Sequence, residues 1–207
     1  MPSSRYEHIS DVVSIITQLG YQSFLDVGCG FGRWGFLARE FGDIYHGRYQ
    51  KEKWVVRIDG VEVHRDYLCP QHEYVYNKIY LGKIEEKLPE LPGYDIIFAG
   101  DVLEHLDKDP ARKVIGELFA KANKALLVAI PLGADWEQGE ILENPHERHR
   151  STWSEGDLKK LGARLVKKYY LPQGSLYALA VWVKPGFKLL PAARLQNEIK
   201  CKLGIRS

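Results

Sequence analysis

The stretch Phe24-Leu25-Asp26-Val27-Gly28-Cys29-Gly30-Phe31-Gly32-Arg33 decides the fold. An apolar run ends in an acid, three glycines follow at alternate positions, and residues 34–40 read as helix. Such a run suits a buried parallel strand, so the glycines mark a strand-to-helix turn. Glycine there permits positive φ and removes the Cβ that would hold a ligand off the backbone. The turn's N–H groups and the helix N-terminus are expected to face a ligand above the strand's carboxyl end.

Outward from this turn, strand and helix patterns alternate. Residues 6–19 carry a helical stripe (Ile9, Val12, Val13, Ile16, Leu19) stopped by Gly20. Strands are expected over 22–27, 54–63, 79–82, 94–100, 125–130, 164–170 and 175–183. Residues 67–76 read as partly helical. Pro110 opens a helix with Val114, Leu118 and Phe119 on its buried side, and Ser154 opens another that ends near Gly162. Alternation of this kind predicts an α/β, Rossmann-like, doubly wound and mostly parallel sheet of seven strands, with helices on both faces. Only Pro172-Gln173-Gly174 joins the last two strands, so one of them must run antiparallel.

The 207 residues suit one domain, expected over 1–184, followed by a basic amphipathic helical extension over 185–207. Residues 184–207 carry a local charge of +5 within a net +2, leaving about −3 elsewhere. A nucleic-acid substrate usually demands a basic footprint, so it is disfavoured. The extension, apolar at Ala192, Leu195, Ile199 and Leu203, suits a membrane surface, another subunit or its own domain. The start lacks a signal peptide's apolar core, no run is long enough to span a bilayer, and Cys29, Cys69 and Cys201 are far apart. A cytoplasmic protein with reduced thiols is expected.

A dinucleotide fingerprint would need glycine at position 33, where Arg33 stands, which argues against a dehydrogenase. The run Asp26-x-Gly28-x-Gly30-x-Gly32 resembles instead the first motif of class I S-adenosylmethionine (SAM) methyltransferases. Two further features accompany it. The second strand ends Ile58-Asp59-Gly60-Val61-Glu62-Val63, where an acid suits ribose hydroxyls, and Glu62 at the strand's exit is preferred to Asp59. The fourth strand runs into Asp101-Val102-Leu103-Glu104-His105-Leu106, which looks like the corresponding segment of many small-molecule methyltransferases of this class.

The resemblance covers residues 20–184. It implies SAM as cofactor and S-adenosylhomocysteine as product, with Asp26, Gly28, Cys29, Gly30, Glu62, Val63, Ile84 and Asp101 around the cofactor. In the family an acid often follows the glycine after the third strand; here Lys83 stands there, so adenine recognition falls to groups near Ile84 or a neighbour. His105 and Asp101 are the catalytic candidates, with His105 as the base for an alcohol or amine acceptor; a packed structural histidine is its other reading. The loop ahead of Trp153 would cover the substrate, with His146, His149, Arg150 and Trp153 suited to a sugar, carboxylate or phosphate.

The small-molecule acceptor would offer an oxygen or nitrogen, with a sugar among the candidates. A second resemblance, to metal-dependent RNA 2′-O-methyltransferases, rests on Asp101-x-x-Glu104-His105 with His146 or His149 as divalent-metal ligands. A non-catalytic SAM-binding protein would keep the glycine turn and need neither His105 nor the histidine loop.

Overall fold

Successive side chains of a strand point to opposite sides of its sheet, so an unbroken apolar strand needs cover on both. Residues Tyr94–Gly100 meet that need: Ile96 and Phe98 enter one core, Ile97 and Ala99 the other. A computed structural model describes residues 5–136, 138–140, 144–172 and 174–189.

Its strands are β1 (Ser23–Val27), β2 (Arg57–Glu62), β3 (Lys78–Leu81), β4 (Tyr94–Gly100), β5 (Ala122–Leu132), β6 (Leu165–Tyr170) and β7 (Leu176–Val183). They form one sheet in the order β3-β2-β1-β4-β5-β7-β6. β7 is the antiparallel strand, against both β5 and β6; the other pairings are parallel. The helices α1 (Ile9–Leu19), α2 (Arg33–Gly42) and α3 (Pro70–Val75) pack on one face. On the other lie α4 (Ile84–Lys87), α5 (Lys108–Lys121) and α6 (Glu155–Lys160). The expected fold class is the observed one. No described helix is long and apolar enough to cross a membrane.

Differences from the sequence reading lie at element ends. β5 is five residues longer than its apolar run, because Ala122 pairs with Tyr94 of β4 at its start and Pro131 and Leu132 stay paired to Tyr177 and Leu176 of β7 at its end. β2 begins three residues late, because residues 42–56 are tied down otherwise. The buried carboxylate of Asp43 accepts from Arg39 (2.5 Å), Arg48 (2.7 Å) and the Val55 N–H (3.0 Å). Burial alone would push this carboxyl up, but those bonds outweigh it and hold the pKa below the ordinary range. Of the proposed C-terminal extension, residues 190–207 lie outside the described residues.

One core residue predicts an acid response. His8 is fully buried among Trp34 (ring centroids 5.1 Å apart), Tyr177 (5.2 Å) and Phe98 (6.3 Å), and neither ring nitrogen has a partner among the described residues. Burial, then the Arg33 charge, push its pKa down to about 4. Because the folded pKa lies below the unfolded one, its contribution is intact above about pH 6.5 and lost as pH falls toward 4. His8→Phe should therefore gain on the wild type as pH drops from 7 to 5, by on the order of 1–2 kcal/mol. Paired thermal melts at the two pH values check this; a difference independent of pH would contradict it.

Candidate functional site

Between β1 and β4 the strand order reverses, so the connections leaving their carboxyl ends diverge and open a crevice. A cavity of about 430 Å³ lies there. Its walls come from the turn after β1, the ends of β2 and β4, the segment after β3 and the long loop after β5.

The turn after β1 explains its glycines. Gly28 has φ +70° and a Cβ there would overlap Cγ2 of Val102, so β1 and the segment after β4 approach too closely for any side chain. The expectation of free N–H groups needs correction. Gly28 and Cys29 both donate to the Val61 carbonyl (2.9 and 3.1 Å), and Gly30 donates to Oε2 of Glu62 (2.8 Å). The turn thus uses its own donors to lock β1 against β2.

Asp26 also needs correction. It is fully buried and outside the cavity wall, where its Oδ2 accepts from the Tyr76 hydroxyl (2.6 Å) and the Gly35 N–H (3.1 Å). Burial pushes its pKa up to about 7. Its place is beneath the turn, holding the start of α2, one layer below any ligand. The acid's position is readable from the motif, but its depth depends on Tyr76 packing over it.

Gly28, Cys29, Gly30, Glu62, Val63, Ile84 and Asp101 do line the cavity. The second oxygen of Glu62 accepts from the His64 N–H (2.9 Å), leaving each oxygen a lone pair for a ligand hydroxyl. Asp59 is occupied elsewhere, accepting from the Tyr94 hydroxyl (2.7 Å). Glu85 joins Lys83 and Ile84 on the wall, an acid one position beyond the two residues that the sequence reading weighed.

At the end of β4 the backbone is strained: Asp101 has φ +51°, the one described non-glycine residue with positive φ. Its Oδ1 accepts from the Tyr177 hydroxyl (2.7 Å). Glu104 is buried and one of its oxygens, Oε2, has no partner among the described residues. Burial, then the neighbouring Asp101, push its pKa well up.

His105 and His149 face each other with ring centroids 5.0 Å apart. His105 Nδ1 lies 3.3 Å from the Arg148 carbonyl and His149 Nδ1 2.6 Å from that of Trp136. A carbonyl only accepts, so each Nδ1 carries the proton and each Nε2 keeps its lone pair. Burial drives the pKa of His105 down to about 4, leaving it neutral. Ligand atoms of Glu104, His105 and His149 lie within 4.8 Å of one another, a donor set of carboxylate and imidazole that fits a divalent cation.

The loop divides the expected substrate residues. His146, His149 and Arg150 line the cavity. Trp153 does not: it is buried in the core under α5, its Nε1 donates to Ser151 Oγ (3.0 Å), and Lys108 lies 3.8 Å from its ring centroid. Its expected role in substrate binding is corrected to a structural one, anchoring the loop just before the Ser154 cap of α6.

Other wall residues escaped the sequence reading. Glu147, nine-tenths buried, accepts from the Tyr67 hydroxyl (3.0 Å) and Asn144 Nδ2 (3.5 Å). It adjoins a histidine already singled out, but only the fold brings Tyr67 to it from across the cavity. Arg5 and Arg33 line the glycine-turn side, with Arg33 Nη1 donating to the Arg5 carbonyl (3.2 Å).

Compared with known proteins, the chain matches no family model and no curated sequence. Solved structures do match. TehB from Haemophilus influenzae shares 15% identity at a TM-score of 0.62, over 88% of this chain and 63% of that one. The 1,6-didemethyltoxoflavin-N1-methyltransferase of Burkholderia thailandensis, solved with 1,6-didemethyltoxoflavin and S-adenosylhomocysteine, shares 16% at 0.62, over 86% and 77%. The small RNA methyltransferase HEN1 shares 18% at 0.58, over 92% of this chain but 27% of that one. The chain thus spans under two thirds of the length of TehB. At these identities the likeness defines the fold, that of the class I methyltransferases.

Proposed function

We propose that this chain is a SAM-dependent methyltransferase acting on an oxygen or nitrogen of a small molecule, a sugar among the candidates. One observation carries the reading. In a class I methyltransferase fold, the cavity at the strand-order reversal combines a glycine turn, a strand-end acid at Glu62 and the Asp101–His105 segment. Glu62 would hold the ribose hydroxyls, and Gly28, Cys29 and Gly30 would back the methionine and ribose. Val63 and Ile84 would flank the adenine, with Glu85 as the neighbour able to accept its amino group. Arg5 and Arg33 suit the methionine carboxylate, and Asp101 its cationic end.

The sulfonium is already an activated methyl donor, so the protein's work is to place the nucleophile in line with it. His105, neutral with a lone pair on Nε2, would take the acceptor's proton. Radiolabelled methyl transfer from SAM to candidate acceptors, compared between wild type and Glu62→Ala, tests the assignment. Glu62→Ala should weaken SAM binding by about 1–3 kcal/mol, because ligand hydroxyls lose their acceptor. A cavity that binds SAM with no transfer to any acceptor would favour a non-catalytic binding protein.

A second reading, metal-dependent RNA 2′-O-methylation, is favoured by one feature: the Glu104, His105 and His149 cluster. A divalent ion there would act as a Lewis acid on the acceptor hydroxyl. In that case EDTA should abolish turnover and Mg²⁺ or Mn²⁺ restore it, whereas the first reading predicts an unchanged rate in EDTA.

A further inference from the structure

Three acids on the cavity wall, Glu62, Glu104 and Glu147, are buried, and no described Lys or Arg nitrogen lies within 4.0 Å of their oxygens. Buried carboxylates are normally paired, so an unpaired one in an open cavity calls for a partner from the ligand. Two of the three are accounted for under the methyltransferase reading, on which this inference rests. Glu62 takes the Gly30 and His64 N–H groups and would hold the ribose, and Glu104 lies against Asp101, where it would face the sulfonium.

Glu147 remains. Its Oε1 is fixed by the Tyr67 hydroxyl and the Asn144 amide, while Oε2 has no bonded partner among the described residues. Asn144 is itself fixed, accepting from the His146 N–H (3.0 Å) and donating to the Tyr67 hydroxyl (3.0 Å). The carboxylate is therefore held rigidly on the substrate loop, with neutral donors behind it and the cavity in front. A rigid, buried, singly occupied carboxylate is a receptor for a cation.

We propose that Glu147 seats a positively charged nitrogen of the methyl acceptor, an ammonium or guanidinium group separate from the atom that is methylated. The acceptor class is then a cationic small molecule.

The probes are benzylamine, benzyl alcohol and benzoate, titrated into protein saturated with S-adenosylhomocysteine and followed by ¹⁵N-labelled backbone resonances. Saturation is verified first by calorimetry; failure at that step refutes the methyltransferase reading and leaves the charge preference a separate result. Benzylamine should shift the resonances of Tyr67, Glu147 and His149 and bind at least roughly tenfold tighter than benzyl alcohol, with benzoate weakest. Glu147→Gln, which keeps the shape and the Tyr67 contact, should erase the preference for the amine. Glu117→Gln, on the outer surface of α5, should leave it unchanged. Benzoate binding best, equal binding of all three, no binding by any of them, or an amine preference that survives Glu147→Gln would each overturn the proposal.

Discussion

His105→Ala is expected to lower kcat by about 10²–10⁴-fold while leaving SAM affinity nearly unchanged. The expectation follows from where the imidazole sits. Its Nδ1 proton is committed to the Arg148 carbonyl, and its Nε2 lone pair is left for the acceptor's proton. With the pKa driven down to about 4 by burial, the ring is already a free base across the physiological range. A base this weak suffices only because the thioether leaves the sulfonium readily, so the proton need not be pulled off early. The pH profile carries the sign of the argument. Activity governed by this group should stay level from pH 8 to about 5.5 and fall only as pH approaches 4, where the ring protonates. A rate that halves near pH 6.5, the value of an ordinary histidine, would contradict that environment. A His105→Ala enzyme with wild-type kcat on its true acceptor would leave positioning as the whole of the catalysis.

Gly28→Ala should be strongly damaging. The residue sits at φ +70°, a conformation costing an L-residue roughly 1–2 kcal/mol, and its new Cβ would overlap Val102. Forcing those groups apart adds a further cost of about 1–3 kcal/mol. At the usual ~2–4 °C per kcal/mol for a chain of this size, the melting temperature should fall by roughly 4–20 °C. Cofactor affinity should fall as well, because Val102 and the glycine turn are both cavity wall. A double variant separates the two causes. Val102→Ala in the same chain should relieve the overlap but leave the φ strain, so the effects should be clearly non-additive. Thermal melts of the four proteins measure this, and strict additivity would show that Gly28 and Val102 do not meet.

The strands were legible because β1, β4 and β7 are apolar on both faces, and only a sheet covered on both sides makes such runs stable. The glycine turn was legible for a related reason: alternate glycines have few other uses between a strand and a helix. What lies one layer away from the chain was not. Asp26 and Trp153 stand inside motifs that suggest ligand contact, yet both are buried, and burial depends on what packs over them, Tyr76 for the first and Lys108 for the second. Glu147 was hidden in the opposite sense. It looks like an ordinary loop acid until Tyr67, 80 residues earlier, is brought against it. The tight pairing of the turn's N–H groups was equally hidden, since their acceptors belong to β2.

The central claim is that the cavity binds SAM and its product. Titration of the wild-type chain with S-adenosylhomocysteine, SAM and NAD by calorimetry, with melting temperatures alongside, tests it most directly. Saturable binding of both adenosyl ligands, each raising the melting temperature by mass action, with no response to NAD, is the result predicted. Tight NAD binding, or no heat and no thermal shift with either adenosyl ligand, would contradict it.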